Sequence, residues 1–235
     1  MRKKIYDVLQ TDYRLGVLQE KCDKLGDFVE MMLDYNKTHN LTAITDENDI
    51  VYKHLLDSLL PIEEIDDNCK VLDIGCGAGF PSVPIAICRN NIDITAIDSV
   101  NKKINFVEMV KKALNLTNLT AIHTRIEDFA RKKEYRENFD IVLSRAVAPL
   151  NIIIEYSAPM LKNGGYIIAY KGSNYLEEIE VAGNALKVLD CEVVECKEYK
   201  VKEIDANRYI IKILKKSKIA DKYPRLANKP RVQPL

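Results

Sequence analysis

The chain has 235 residues, 47% hydrophobic and 30% charged, enough to bury a core and too apolar for a disordered polymer. Nine glycines and eight prolines exclude collagen-like and linker-rich architectures, and no apolar run approaches the roughly 18 residues of a membrane span. Lysine plus arginine equals aspartate plus glutamate at 35 each, so no bulk field draws in a polyanion.

The first sixty or so residues read as helical. Leu18, Cys22, Leu25, Val29 and Met32 recur at steps of four and three, one apolar stripe on a helix over about residues 16–35. A second helix is expected over 46–60, with Val51, Leu55 and Leu59 on one face and Pro61 ending it. Between them Tyr35-Asn36-Lys37-Thr38-His39-Asn40-Leu41-Thr42 is a polar connector, richer in amides than a turn requires. Beyond Lys70 the pattern alternates, with strands at 71–74, 92–97, 119–122, 140–143 and 166–169 and helices at 81–89, 101–115, 150–161 and 176–189. Asn163-Gly164-Gly165 reads as the stop of the 150–161 helix. Two alternating runs, 192–201 and 208–214, have no helix between them and imply an antiparallel hairpin at one edge. The expected fold class is α/β, a doubly wound, Rossmann-like and mostly parallel sheet. It divides into an N-terminal helical extension over 1–64, a sheet domain over 65–216 and a basic tail over 217–235. From Lys212 onward eight basic residues face one acid, Asp221, which suits either a solvated terminus or an anchor on phosphate.

The basic start Met1-Arg2-Lys3-Lys4 is followed by a stretch broken by Tyr6 and Asp7, so no signal peptide is expected. The six cysteines form no Cys-x-x-Cys pair and read as free thiols in a reducing, cytoplasmic setting, with no metal site.

Val71-Leu72-Asp73-Ile74-Gly75-Cys76-Gly77-Ala78-Gly79-Phe80-Pro81 follows a strand and opens a helix, the place where doubly wound folds bind ligands. Dinucleotide folds use Gly-x-Gly-x-x-Gly so that a pyrophosphate reaches the helix N-terminus. Here Gly75, Gly77 and Gly79 bring the third glycine one residue early, and an acid, Asp73, precedes them. A carboxylate there would repel a pyrophosphate and attract the ammonium and sulfonium of S-adenosylmethionine, which carries no phosphate. Asp98 ends the next strand, near the roughly 20-residue separation expected of a ribose-binding acid. A nicotinamide-dependent oxidoreductase is the rival reading of such a loop, and a non-catalytic ribosomal-RNA-binding assembly factor is the rival suggested by the basic tail.

With these residues the chain resembles class I S-adenosylmethionine-dependent methyltransferases, and among them the guanine-N7 methyltransferases of 16S ribosomal RNA, the glucose-inhibited division protein B family. The resemblance is carried by Tyr35-Asn36-Lys37 with Asn40-Leu41-Thr42, His54 with Asp57-Ser58, the glycine loop, Asp98-Ser99, Arg125-Ile126-Glu127 and Ser144-Arg145-Ala146. It resumes weakly at Lys171-Gly172 and 207–214. It implies that Gly75 and Phe80 contact the cofactor, that Asp98 takes its ribose, and that Ile126 and Glu127 lie beside its adenine. Arg145 should stand near cofactor and incoming base. Asn36, Lys37, Asn40, Thr42, Lys53 and His54 fall toward the substrate mouth, and Asp73, Gly77, Gly79 and Ser99 complete the cofactor set. The substrate implied is the 530 loop of 16S ribosomal RNA, or the small ribosomal subunit, met by a monomer. Lys53 stands where the family usually has arginine, Ser82 where glycine is usual and Tyr35 where tryptophan is common.

Guanine N7 offers an in-plane lone pair and no proton, so its methylation needs alignment rather than a general base. Arg145 is then a positioning residue, a donor to guanine O6 or a cation offsetting phosphate, with a structural ion pair to Asp73 or Glu127 as its plainer role. His54 reads as a packed or RNA-facing residue rather than a base.

Overall fold

The computed structural model describes residues 1–11, 18–201, 206–226 and 228–235. Five strands run parallel: β1 (Lys70–Ile74), β2 (Asp93–Asp98), β3 (Leu119–His123), β4 (Phe139–Arg145) and β5 (Leu161–Lys171). The expected hairpin follows as β6 (Cys191–Val201) and β7 (Ala206–Lys215), with β7 inserted antiparallel beside β5. The sheet order is β3-β2-β1-β4-β5-β7-β6, so the chain winds one way from β1 and the other way from β4. That reversal opens a crevice at the carboxyl ends of β1 and β4.

Helices cover both faces. On one side α1 (Arg2–Thr11), α2 (Gln19–His39), α5 (Ser82–Cys88) and α6 (Asn101–Ala113) share a core, preceded in space by the short turns α3 (Glu47–Asp49) and α4 (Asp57–Leu59). On the other α7 (Ile126–Arg131), α8 (Leu150–Ser157), α9 (Tyr175–Val181) and α10 (Gly183–Val188) form a second core. A last turn, α11 (Lys229–Val232), lies near the C-terminus. Among the described residues no helix is long and apolar enough to cross a membrane.

Several elements differ from their sequence expectation for physical reasons. The stripe beginning at Leu18 belongs to α2, which starts at Gln19; residues 16–17 lie outside the described set. α2 then absorbs the first half of the amide-rich connector and stops at Asn40, in the left-handed region at φ 48°. The helix expected over 46–60 is not uniform. Between α3 and α4 lies a π-helix, Ile50–Leu56, whose wider turn lets N–H groups reach five residues back. Asn163-Gly164-Gly165 does not stop a helix: α8 ends at Ser157, and β5 runs through the glycines. A Cβ on Gly165 would sit 2.8 Å from the Asp140 carbonyl oxygen, so glycine there serves the close approach of β5 to β4. The helix expected over 176–189 is two, broken at Ala182.

The N-terminal helices are not an appendage. Ile5, Leu9, Phe28 and Met32 are fully buried in the same core as Val83 and Phe106. The Phe28 ring lies 5.0 Å from Phe80 and 6.2 Å from Phe106, tying α2 to the glycine loop and to α6. The basic tail is packed as well, with Ile219 and Tyr223 buried in the second core. Because α1 and α2 share the sheet's core, urea should unfold the chain in one transition. Phe28→Ala should cost about 3–5 kcal/mol of stability by shifting that transition, without creating a separate one.

Candidate active site

The glycine loop turns sharply from β1 into α5. The N–H groups of Gly75 and Cys76 both donate to the Ile97 carbonyl at the end of β2, at 2.8 and 3.0 Å. Gly75 has φ +70°, and a Cβ there would lie 2.9 Å from a methyl of Val147. Glycine is required by both the conformation and the contact. Asp98 closes the loop from β2: one carboxylate oxygen accepts from Gly77 N–H at 3.0 Å, the other from Val100 N–H at 2.8 Å. Lys103 stands 3.6 Å from the same carboxylate. Above them opens a cavity of about 590 Å³, walled by Gly75, Asp98, Ser99, Ile126 and Glu127 among the expected residues. That volume suits a nucleoside-sized ligand.

Asp73, Gly77, Gly79 and Phe80 do not line this cavity. The Asp73 side chain points beneath the loop, where one oxygen accepts from Ser82 N–H at 3.2 Å and the other has no partner among the described residues. Burial raises its carboxyl to about 7. It can act on a ligand through its field rather than by contact. Gly79, at φ +88°, lets Val83 approach to within 2.6 Å of where a Cβ would stand.

Beside this cavity lies Arg145, at the end of β4, and its guanidinium is engaged along every edge inside the protein. Nε pairs with the Asp57 carboxylate at 2.9 Å. One terminal nitrogen donates to the Ser58 hydroxyl at 2.7 Å and the His54 carbonyl at 3.3 Å. The other donates to the Lys53 carbonyl at 2.5 Å and reaches His54 Nδ1 at 3.3 Å. The partner of Arg145 is thus Asp57, not the Asp73 or Glu127 that sequence suggested. The π-helix presents the two carbonyls, and the arginine clamps it to the sheet.

His54 is fixed on every side. Its ring stacks on Phe80 at 4.5 Å and 12°, and its Nε2 lies 3.1 Å from the Thr42 hydroxyl. Because Nδ1 faces a guanidinium, which only donates, the proton sits on Nε2 and is given to Thr42. Burial and the Arg145 charge lower its pKa to about 4. Asn36 organises the connector: its carbonyl oxygen accepts from Leu41 and Thr42 N–H at 2.6 and 3.0 Å, and its amide donates to the Thr42 carbonyl at 3.0 Å. Asn40 caps α2. Lys37 is exposed and pairs with Asp34, apart from this group.

A second cavity, about 540 Å³, lies on the other side of Ala146 and includes Lys53, Asp57, Arg145, Lys171, Glu178 and Arg208. Ala146 lines both cavities and has φ +54°, rare for a side chain with a Cβ. Arg208 of β7 donates through Nε to Asp57 at 3.0 Å and makes no other hydrogen bond or ion pair among the described residues. Its terminal amino groups are therefore uncommitted. Lys171 donates to the Ala148 carbonyl at 2.9 Å and pairs with Glu178 at 2.6 Å, which fixes the loop after β4. Sequence reasoning assigned no role to Asp57, Lys171 or Arg208. Asp57 carried a usable signal, a lone carboxylate in the run Leu55-Leu56-Asp57-Ser58-Leu59-Leu60, because a buried charge requires a partner.

Residues 21–209 match the rRNA small subunit methyltransferase G family, GidB. The ribosomal RNA small subunit methyltransferase G of Desulforamulus reducens is 43% identical over 88% of both chains. That of Streptococcus pneumoniae serotype 19F is 38% identical over 100% of both. Among solved structures, M. jannaschii TYW2 in complex with AdoMet matches with a TM-score of 0.57 at 16% identity, over 74% of this chain and 79% of that one. A SAM dependent methyltransferase from Aquifex aeolicus matches at 0.53 and 16% identity, over 72% and 94%. Those two share the fold. The oxidoreductase and non-catalytic readings give way to the sequence matches: the chain belongs to the rRNA small subunit methyltransferase G family and is an S-adenosylmethionine-dependent methyltransferase.

Proposed function

We propose that this enzyme methylates N7 of a guanine in the 530 loop of 16S ribosomal RNA, with the donor in the larger cavity and the target base in its neighbour. The observation that carries this reading is the pair of cavities meeting at Ala146, with His54 and Asp57, the candidate bases beside it among the described residues, both committed to partners. His54 is neutral and committed at both ring nitrogens, and Asp57 is held between two guanidiniums. Such a site cannot readily remove a proton, and a guanine N7 has none to remove.

The residues of the larger cavity suit the donor. S-adenosylmethionine, when bound, supplies an electrophilic methyl group on a sulfonium. Asp98 keeps a lone pair on each oxygen for ribose hydroxyls, Gly75 permits close backbone approach, and Ile126 and Glu127 take the adenine. Phe80 serves as the platform under His54, and Asp73 favours a cation from beneath the loop. In the second cavity four cations, Lys53, Arg145, Lys171 and Arg208, face two carboxylates, Asp57 and Glu178, a balance that favours an anionic polymer. Arg208 donates its free amino edge to guanine O6, and Arg145 positions rather than binds. Lys53 and Lys37 meet the RNA backbone, while Asn36, Asn40 and Thr42 shape the mouth. Holding nucleophile and methyl in line is the main catalytic device, and orientation of this kind is worth several kcal/mol. A monomer in the cytoplasm, where small subunits are assembled, suffices for this reaction.

Nucleoside mass spectrometry of 16S ribosomal RNA from a strain lacking the gene should show loss of one 7-methylguanine, restored by the purified enzyme and S-adenosylmethionine. Methyl found on an exocyclic amine instead would overturn the reading. Asp98→Ala should weaken S-adenosylhomocysteine binding by about 100-fold, roughly 2–3 kcal/mol. Arg208→Ala should lower kcat/KM for RNA and leave that affinity unchanged.

His54 supplies a pH test. With its folded pKa near 4 and an unfolded value near 6.5, the unfolded chain binds the proton first. Its contribution to stability should be complete above pH 6.5 and fade as pH falls toward 4, and the imidazole NMR midpoint should lie near 4.

A further inference from the structure

The family match ends at residue 209, yet the chain continues, and its last segment returns to the donor cavity. Residues 218–226 and 228–235 lie along α8 as a strap. Tyr223 and Pro224 are buried, and Arg136 donates to the carbonyls of Tyr223 and Ile219 at 2.7 and 3.3 Å. Arg131 donates to the carbonyls of Lys222 and Pro224 at 3.2 and 3.0 Å. The firmest tie is Arg225, which donates to the fully buried Glu155 through its backbone N–H at 2.9 Å and through its guanidinium at 2.9 and 2.6 Å. Past that anchor the chain crosses to the cavity. Asn228 and Arg231 line it, and Arg231 donates to the Val147 carbonyl at 3.3 Å.

Arg231 meets a defined partner in the cavity wall. The Tyr156 hydroxyl of α8 donates to the Glu127 carboxylate at 3.1 Å, and both residues line the same cavity as Arg231. Burial and Glu127 raise the Tyr156 hydroxyl, while the neighbouring Arg231 pulls the other way. A cation, a hydroxyl and a carboxylate thus line one cavity, with the Tyr156 hydroxyl the neighbour of both charges.

We infer that the C-terminal strap is a built part of the donor site, and that Arg231 is a positioning residue which, beside Tyr156, holds the Glu127 carboxylate against the adenine end of the cofactor. This rests on the placement of the donor in the larger cavity argued above. The contacts support it: the buried Tyr156 hydroxyl, which has Arg231 as a neighbour, donates to Glu127, so the carboxylate is oriented from the side on which the strap lies. The packing supports it too, because a merely solvated tail would not bury Tyr223 or spend Arg131, Arg136 and Arg225 on docking.

Calorimetry with S-adenosylhomocysteine and with 5′-methylthioadenosine, which keeps the adenine end and lacks the amino-acid end, tests the assignment. Arg231→Ala should weaken both ligands to the same degree, about tenfold, and Arg231→Lys should recover most of the loss. Glu127→Gln should make the effect of Arg231→Ala disappear, since coupled residues are non-additive. A chain ending at Ala227, which keeps the Arg225 anchor, should match Arg231→Ala in affinity and still unfold in one cooperative transition. A loss confined to S-adenosylhomocysteine would place Arg231 at the amino-acid end and overturn the inference. Unchanged affinity for both ligands would reduce the strap to packing and overturn it as well. Failure of the wild type to bind either ligand, or full binding by Asp98→Ala, would instead strike at the donor cavity itself.

Discussion

One guanidinium holds the site together. Arg145 leaves the sheet at the end of β4 and engages the 53–58 segment, donating to two carbonyls, a hydroxyl and an imidazole and pairing with a carboxylate. A charge this enclosed, with its side chain 14% exposed, is tolerable only when fully partnered. The π-helix is the shape that supplies the partners, turning the Lys53 and His54 carbonyls toward the sheet. The same clamp gives His54 its tautomer, presses its ring on Phe80, and through Asp57 orients Arg208. Removing Arg145 would leave Asp57 to Arg208 alone and strip the Lys53 carbonyl and the His54 imidazole of their arginine donor, so its effect on catalysis passes through the geometry of both cavities.

The layout of the sheet was legible because its signals are local. Short apolar runs alternating with amphipathic helices specify parallel crossovers, and the absence of a helix between the last two runs specifies the hairpin. The cofactor loop was legible for the same reason, as a glycine pattern of fixed spacing beside Asp98. Other features depend on what a residue meets across the fold. Gly164-Gly165 looks the same whether it caps a helix or admits a neighbouring carbonyl; only the approach of Asp140 decides. The π-helix has no periodic signature over seven residues, and it answers to an arginine about ninety residues away in sequence. Asp73 was legible as an acid beside the loop but not as one turned under it, since the facing of a strand residue depends on which helix covers it.

The two cavities divide the electrostatic work. In the larger one Asp98 is held by backbone N–H groups and balanced by Lys103, so its carboxylate is oriented before any ligand arrives. In the smaller one the cations outnumber the acids, and Arg208 keeps donors unspent among the described residues. On the proposed reading, a site for a cationic nucleoside donor and a site for a polyanion are set back to back, with Ala146 lining both. Alanine at 146 keeps that partition thin. A larger side chain there would project into one cavity or the other.

Ala146 pays for that position with a left-handed backbone, a cost on the order of 1–2 kcal/mol that a free loop would relax. It cannot relax, because the loop after β4 is held by four tethers. Arg145 anchors its start to the π-helix. Lys171 holds the Ala148 carbonyl from β5, and Glu178 of α9 accepts from Leu150 N–H at 2.9 Å. Arg231 of the strap donates to the Val147 carbonyl. These tethers come from segments far apart in sequence, and they converge on the few residues where donor and acceptor must align. The proposed N7 methylation, which removes no proton, depends on alignment, and alignment is what a strained, multiply tethered loop preserves.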